Sequence, residues 1–463
     1  MTNASFLLNG RATELVGDPT ESLLRWLKRH RLNGTKEGCA DGDCGACTVA
    51  LAEPDAQGVP RWRAVNSCLL PIGAVAGRRV LTVEALADGE TLHPVQQAMV
   101  DCAGSQCGYC TPGFVMSLFV AQRNGVRGDA AIEGNLCRCT GYQPIRAAAA
   151  LLEAAPTASD RCDALLEGTT LAAAELGPFF SPDSIETALL LKTRYPDAAW
   201  IGGGTDLGVE LSHGKPVASN FIALDRIPAL QRLEIGEAAV TIGAGVPLSR
   251  LEHELHGLFP ALDQMLPWFA ARQVRNRATL GGNLGTASPI GDLLPVLLAL
   301  DATLVLHGPA GVRALPVEGY FTEYRKTQRA ADELVTAVRL PRRAGLRSAS
   351  YKVAKRQTDD ISIVAAVFAL GFDAAGGVAH ARLAYGGVAA IPRRARRVED
   401  FLLGRRLAPD TVAEAVRQLQ AEFTPLDDHR AGADYRRALC GTLFAKFAAE
   451  HAGVAPAVAE TGA

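Results

Sequence analysis

Residues 38–47 read G-C-A-D-G-D-C-G-A-C. They set Cys39, Cys44 and Cys47 in a C-x4-C-x2-C pattern, and Cys68 follows after twenty intervening residues. No other feature constrains the fold as much. One tight loop supplies three thiols and a distant residue a fourth, which is the plant-type [2Fe–2S] ligand spacing. Gly38, Gly42 and Gly45 let the backbone wrap closely, because glycine reaches positive φ at low cost. A wrapped loop turns N–H groups toward sulfur, and such hydrogen bonds help set a cluster's potential. A zinc site, a disulfide staple and buried apolar cysteines are the alternatives. Zinc sites are usually built from two short knuckles, so the spacing favours the cluster.

The sequence around that loop predicts a small sheet. Residues 5–15 read as a hairpin turning at Asn9-Gly10, a strong type I′ signal. Residues 19–30 carry an apolar stripe at Leu23, Leu24 and Leu27, predicting a helix capped by Thr20 or Asp18. Residues 48–51 and 80–83 read as strands. Together they make a β-grasp, plant-type ferredoxin domain over residues 1–84.

From residue 85 to 156 the signals turn helical. Pro94 starts a helix through Met99. Thr111 as N-cap and Pro112 as first residue predict another over 113–123, and Pro144 leads into a third over 145–155. Cys107 and Cys110 stand just before the second start, and Cys137 and Cys139 just before the third. Partial positive charge and free N–H groups at helix starts favour thiolates. Two antiparallel helix pairs, a four-helix domain, would gather these thiolates around a second [2Fe–2S] cluster. Taken alone, the pattern also suits structural zinc with four cysteine ligands. Cys102 fits the face of the preceding helix as a core thiol, and Cys162 and Cys440 read as structural.

Of eleven cysteines, the eight in these two sets all precede residue 140. A disulfide framework would spread its cysteines and suit a small secreted chain, so the pattern fits a reducing cytosol. Residues 1–10 lack the basic start and apolar run of a signal peptide. No stretch of about 18 uncharged apolar residues predicts a membrane span. A net charge of −2 gives no reason to expect nucleic acid. The basic run at 393–397 reads as a solvated helix start.

Residues 157–177 lack a sustained period and read as an interdomain linker, on which Leu165, Leu166 and Leu171 could dock. A helix over 184–195, capped by Asp183 or Ser181, precedes a strand at 198–201. That strand enters Gly202-Gly203-Gly204-Thr205-Asp206-Leu207. A second glycine-rich piece, T-L-G-G-N-L-G-T-A-S-P-I-G-D, occupies 279–292. The first is neither a dinucleotide G-x-G-x-x-G nor a P-loop. A glycine-rich turn after a strand lets backbone N–H groups approach a phosphate, and for the first a tight structural turn is an equal reading; two such loops in one domain could grip a pyrophosphate from both sides. Strands at 363–370 and 379–385 and helices at 408–421 and 434–451 complete the chain, with a poorly ordered tail expected over 452–463.

The plant-type loop, then Q-C-G-Y-C-T-P-G at 106–113, then N-L-C-R-C-T-G-Y at 135–142, resembles the molybdenum hydroxylase family. That family includes xanthine dehydrogenase, aldehyde oxidase and carbon monoxide dehydrogenase, and the match covers the N-terminal third almost continuously. The resemblance implies a multidomain α+β chain. Residues 178–345 would form an FAD-binding domain similar to the vanillyl-alcohol-oxidase type, with a C-terminal α+β subdomain over 346–455. Trp200, Ile201, Gly202, Gly203, Gly204, Thr205, Asp206 and Leu207 match the family's first FAD loop. Thr279, Leu280, Gly281, Gly282 and Asn283 match its second, with Thr286 and Ser288 beside it. Asp292 matches a cofactor-contacting acid, and Phe269 and Val335 match the residues flanking adenine. The family often has Leu at the position of Val335, which thins that side. Lys352 matches a flavin contact, and Asp360 lies in the loop near the face where NAD approaches. Phe269 as ordinary core and Asp292 as a helix cap are the plain structural alternatives.

The implied function is that of the iron–sulfur/FAD subunit of a two-subunit bacterial xanthine dehydrogenase. Hypoxanthine and xanthine would be oxidised to urate at a molybdenum–pterin centre in a large partner subunit. The partner is expected because the chain stops before any molybdenum-binding region. Electrons would pass through the helical-domain cluster, the plant-type cluster and FAD to NAD, within a cytoplasmic (αβ)2 heterotetramer. This chain would hold no substrate-converting residue. Equivalent subunits of an aldehyde, carbon monoxide or N-heterocycle dehydrogenase are the alternatives, as is a non-catalytic electron-transfer scaffold.

Overall fold

The computed structural model describes residues 4–154, 159–167, 176–356 and 358–454. The chain forms two compact units, one of Met1–Ile227 with Ala270–Ala278, the other of Pro228–Phe269 with Thr279–Ala463.

The first unit begins with a mixed sheet. Strands β1 (Ser5–Leu8), β2 (Arg11–Glu14), β3 (Thr48–Pro54), β4 (Pro60–Asn66) and β5 (Arg79–Leu81) lie in the order β2-β1-β5-β3-β4. Asn9 and Gly10 turn the first hairpin at φ 52° and 81°, the positive pair a type I′ turn requires. The helix Leu23–Arg29 lays Leu23, Trp26 and Leu27 on this sheet, against Phe6, Val49, Leu51 and Val80. Its cap is Ser22, whose side chain accepts from the Arg25 amide, and not Thr20 or Asp18. Asp18 instead closes the preceding turn by accepting from the Thr20 amide and hydroxyl.

Next come the helices Pro94–Asp101, Thr111–Arg123 and Gln143–Ala154, with a 3₁₀ turn at Gly128–Ala131. His93 caps the first, with Pro94 at its first position. The expected Thr111 cap is displaced by one: Cys110 occupies the N-cap, and the Thr111 hydroxyl donates to Ser105. Part of the expected linker is structured. Asp160 caps the short helix Arg161–Ala164, Cys162 is buried, and Leu165 and Leu166 pack on the helical core. Leu171 lies outside the described residues. Strands β6 (Phe179–Phe180), β7 (Ala199–Ile201) and β8 (Phe221–Ala223) form a parallel sheet in the order β6-β8-β7. The intervening helix Ile185–Arg194 is capped by Ser184, not by Asp183 or Ser181. Phe179, Ile201, Phe221 and Ala223 share one core with the β-grasp sheet.

Among the described residues, the second unit holds two larger antiparallel sheets and a two-stranded hairpin. One runs β12-β11-β15-β10-β9, from β9 (Leu233–Ile235), β10 (Ala239–Gly243), β11 (Thr303–Gly308), β12 (Gly311–Pro316) and β15 (Leu334–Pro341). A hairpin of β13 (Phe321–Glu323) and β14 (Lys326–Thr327) lies between β12 and β15 in sequence. The other runs β16-β17-β18-β19, from β16 (Arg347–Val353), β17 (Val364–Phe372), β18 (Val378–Gly386) and β19 (Arg393–Arg394). Helices Arg396–Leu402, Pro409–Glu422 and Ala433–Ala452 close its core, where Phe368 meets Tyr385, Phe444 and Phe447 at ring distances of 5.4–5.6 Å. The basic run at 393–397 is not wholly solvated. Strand alternation exposes Arg393 and turns Arg394 inward, where its guanidinium pairs with buried Glu399.

Candidate functional site

The cysteine loop winds through positive φ at Ala40, Gly42 and Gly45. Winding brings four thiols together as two pairs. The Cys39 amide donates to the Cys44 sulfur at 3.3 Å, and the Cys44 amide donates back to the Cys39 sulfur at 3.3 Å. The Asp41 amide adds a bond to Cys39 Sγ at 3.4 Å. Cys47 and Cys68 are buried with their sulfurs 3.3 Å apart, and the Asn66 side-chain amide donates to Cys47 Sγ at 3.7 Å. The hydrogen bond with Cys44, helped by the loop amides and opposed by burial, lowers the Cys39 thiol to about 5. The Cys47 contact, with burial, raises Cys68.

The second set has the same two-by-two arrangement. The free Cys139 thiol hydrogen-bonds to the Cys107 sulfur, and the free Cys110 thiol to the Cys137 sulfur. The Thr140 amide and hydroxyl donate to Cys137 Sγ at 3.4 and 3.1 Å. Burial, reinforced by Cys137, pushes Cys110 to about 12. Cys107 and Cys139 are exposed, Cys110 and Cys137 half-buried. Among the described residues, no group of three or more His, Cys, Asp or Glu side chains is arranged to hold a single metal ion. The thiols come in twos, and a binuclear cluster with four cysteines offers two to each iron. Sulfurs that already receive amide N–H bonds fit such a cluster.

The two sets are locked together through backbone. The Leu136 amide, next to Cys137, donates to the Cys44 carbonyl at 3.0 Å. A Cβ on Gly45 would lie 2.1 Å from the Gly134 carbonyl oxygen, and one on Gly113 would lie 2.3 Å from that of Gly45. Only glycine allows this approach.

The residues expected to hold the flavin fall in both units. In the first, Trp200 and Ile201 end β7, and Gly202, Gly203, Gly204, Thr205 and Asp206 turn the chain into the helix Leu207–Ser212. Gly204 has φ +78°. The Trp200 indole nitrogen is buried without a partner among the described residues. In the second unit, the glycine-rich stretch is helical over Leu280–Thr286, with Thr279 as cap accepting from the Gly282 amide at 3.0 Å. Gly281 packs on Ala244, and Asn283 Oδ1 is buried without a partner among the described residues. These orphaned polar atoms suit a polar cofactor. Ser288 accepts from the Ile290 amide just beyond.

Asp292 stands at the N-cap of the helix Leu293–Ala299 but makes no capping bond. Its carboxylate instead takes the Lys352 ammonium at 2.8 Å and the Ser362 hydroxyl at 2.5 Å. Lys352 also donates to the Trp268 carbonyl at 2.8 Å, one residue before Phe269. Phe269 is half-buried, and Val335 is buried in β15 beside an irregularity in its pairing with β11. Asp360 accepts from the Arg356 amide at 2.9 Å. Sequence reasoning misses the segment 272–277, R-Q-V-R-N-R, whose Gln273, Arg275, Asn276 and Arg277 are all buried in the first unit. Three arginines in six residues just before a glycine-rich stretch are the available signal.

Four family models match. They are described as a 2Fe-2S iron-sulfur cluster binding domain over residues 6–72 and a [2Fe-2S] binding domain over 82–150. An FAD binding domain in molybdopterin dehydrogenase matches 173–343, and a CO dehydrogenase flavoprotein C-terminal domain matches 349–451. A xanthine dehydrogenase from Emericella nidulans is 32% identical over 96% of this chain, which spans 38% of that relative's length. A solved carbon monoxide dehydrogenase chain from Hydrogenophaga pseudoflava is 28% identical with TM-score 0.54, covering 57% of this chain and 93% of its own. A quinoline 2-oxidoreductase chain from Pseudomonas putida 86 is 26% identical with TM-score 0.55, covering 59% and 96%. No helix among the described residues is long and apolar enough to cross a membrane. With both cluster-binding models and both flavin models falling in order along it, the chain belongs to the molybdenum hydroxylase family, as its iron–sulfur and FAD-binding part.

Proposed function

We propose that this chain is the electron-transfer part of a xanthine dehydrogenase, carrying reducing equivalents from a molybdenum–pterin centre in a partner subunit to NAD. The observation that carries the reading is the direct backbone link between the thiol sets, Leu136 amide to Cys44 carbonyl, in a chain that also holds the flavin residues. Bound clusters and FAD would supply one-electron relay and two-electron exchange with a nicotinamide. Cys39, Cys44, Cys47 and Cys68 would hold one cluster within residues 1–84, and Cys107, Cys110, Cys137 and Cys139 the other within 85–156. Residues 178–345 with 346–455 would hold FAD, through the loop residues 200–207 and 279–283, with Thr286, Ser288, Asp292, Phe269, Val335 and Lys352. Residues 157–177 would join the two halves.

The residues present have definite tasks. Amides of Asp41, Cys44 and Thr140 donate to sulfur, which favours added negative charge there. Exposed Cys107 and Cys139 leave their set open to a partner, which supports the order taken from the family resemblance, with this set as the entry point. Asp292 fixes the Lys352 ammonium, which would offer an oriented cation to the flavin, and Asp360, by the family resemblance, would border the nicotinamide approach. Similarity to xanthine dehydrogenases over nearly the whole chain supports a purine as the partner's substrate; the (αβ)2 assembly is part of the same proposal. The likeness to carbon monoxide and quinoline oxidoreductases supports the second reading, an equivalent part acting on another substrate. The native complex, isolated with its partner, is expected to reduce NAD with xanthine. NAD reduction by quinoline, an aldehyde or carbon monoxide in place of xanthine would favour the second reading.

A further inference from the structure

Four side chains from distant parts of the first unit form a closed ring of alternating charge. Arg78 donates to Glu53 at 3.0 Å and to Asp225 at 2.7 Å. Arg277 donates to the same Glu53 oxygen and, at 2.9 Å, to the same Asp225 oxygen. All four side chains are 12% exposed or less. Glu53 lies in β3, Arg78 just before β5, Asp225 just after β8, and Arg277 in the segment 270–278. The ring thus ties the β-grasp sheet and the parallel sheet to that segment.

The backbone of Arg277 has a second role. A Cβ on Gly203 would lie 1.7 Å from the Arg277 carbonyl oxygen, so the glycine turn rests directly on it. On its other side the turn runs into Gly208, where a Cβ would lie 2.2 Å from the Leu69 carbonyl oxygen. Leu69 follows Cys68, and Val274 and Val209 pack against Cys47, Cys68 and Leu69. The turn is therefore held between a residue fixed by the charge ring and the chain carrying a thiol of the plant-type set. Buried pairs are costly to break because the remaining charge loses its partner, so the ring has few alternative arrangements.

We propose that Arg277, with Glu53, Asp225 and Arg78, is a positioning residue that sets the Gly202–Gly204 turn, and hence FAD, against the plant-type cluster. This rests on the reading that residues 200–207 hold FAD. Arg277 touches neither group; it acts through its carbonyl and its salt links. Displacing the turn by about 1 Å is enough to slow a step that depends on geometry by roughly tenfold or more.

The test uses the complete complex carrying Arg277→Met, with Arg277→Lys as the charge-conserving partner. Three quantities are read: FAD release by recovery of flavin fluorescence, NADH–dye turnover, and rapid reduction of the plant-type cluster after mixing with NADH. Each cluster accepts one electron, so one NADH accounts for both. Arg277→Met is expected to release FAD roughly tenfold faster and to reduce the cluster roughly tenfold more slowly. NADH–dye turnover per bound flavin should stay near normal, and Arg277→Lys should recover most of both rates. Unchanged FAD release and cluster reduction in Arg277→Met, even with a lowered melting temperature, would leave only a structural role and overturn the proposal. Gly203→Ala separates the underlying reading: it should lose FAD, and full FAD retention would overturn that reading and the proposal with it.

Discussion

Gly45 occupies φ +66°, and its Cα faces the Gly134 carbonyl with no room for a methyl group. Gly45→Ala is therefore expected to weaken both cluster signals at once in electron paramagnetic resonance, because the residue belongs to one thiol loop and abuts the other. Cys44→Ser should differ, altering or abolishing the plant-type signal and sparing the second. An unchanged pair of signals would refute the assignment of Cys44. In the second unit, Lys352 and Asp292 form a pair with side chains 3% and 9% exposed. Removing one partner leaves a buried charge, so Lys352→Met should cost about 3–5 kcal/mol. Denaturant unfolding of the purified chain checks it, and a loss well under 1 kcal/mol would mean that the charge is relieved by water.

Among the elements, the C-terminal helices make the plainest stability prediction. Phe444 is fully buried against Phe368, so Phe444→Ala should cost about 3–5 kcal/mol in the same measurement. His380, on β18, gives a pH prediction. It faces Asp301 together with Arg382, Arg343 and Arg394, and burial first, then Arg382, lowers it to about 4 from its ordinary 6.5. The unfolded chain takes up this proton near 6.5 and the folded chain only near 4. The His380 contribution is thus constant above pH 6.5, and stability falls as pH drops from 6.5 toward 4. His380→Gln should flatten that part of the pH–stability curve, and an unchanged slope would show that other groups set it.

What the sequence reveals at this scale follows the range of the interaction. The Asn9-Gly10 hairpin and the His93-Pro94 helix start are legible because their chemistry is local. The first helix cap is not, because Asp18, Thr20 and Ser22 all suit the role and tertiary packing selects Ser22. Strand β4 opens on Pro60, Arg61 and Arg63, and its buried face emerges only with Trp62 and Ala64. Among the candidate site residues, the grouping of the cysteines is readable from spacing, whereas the Glu53–Arg277 link joins residues 224 positions apart and leaves no local trace.

At the scale of the whole molecule, the chain carries two thiol sets joined by a backbone hydrogen bond, and the residues proposed to hold the flavin are divided between two units. That arrangement suits electron transfer between iron–sulfur clusters and FAD. Its central claim is that the eight cysteines hold two binuclear iron clusters and that FAD accompanies them. Iron, sulfide and flavin analysis of the purified chain, with electron paramagnetic resonance after stepwise reduction, tests this most directly. The account predicts two distinct [2Fe–2S] signals and one FAD per chain. Zinc in place of iron, with no flavin absorbance, would contradict it.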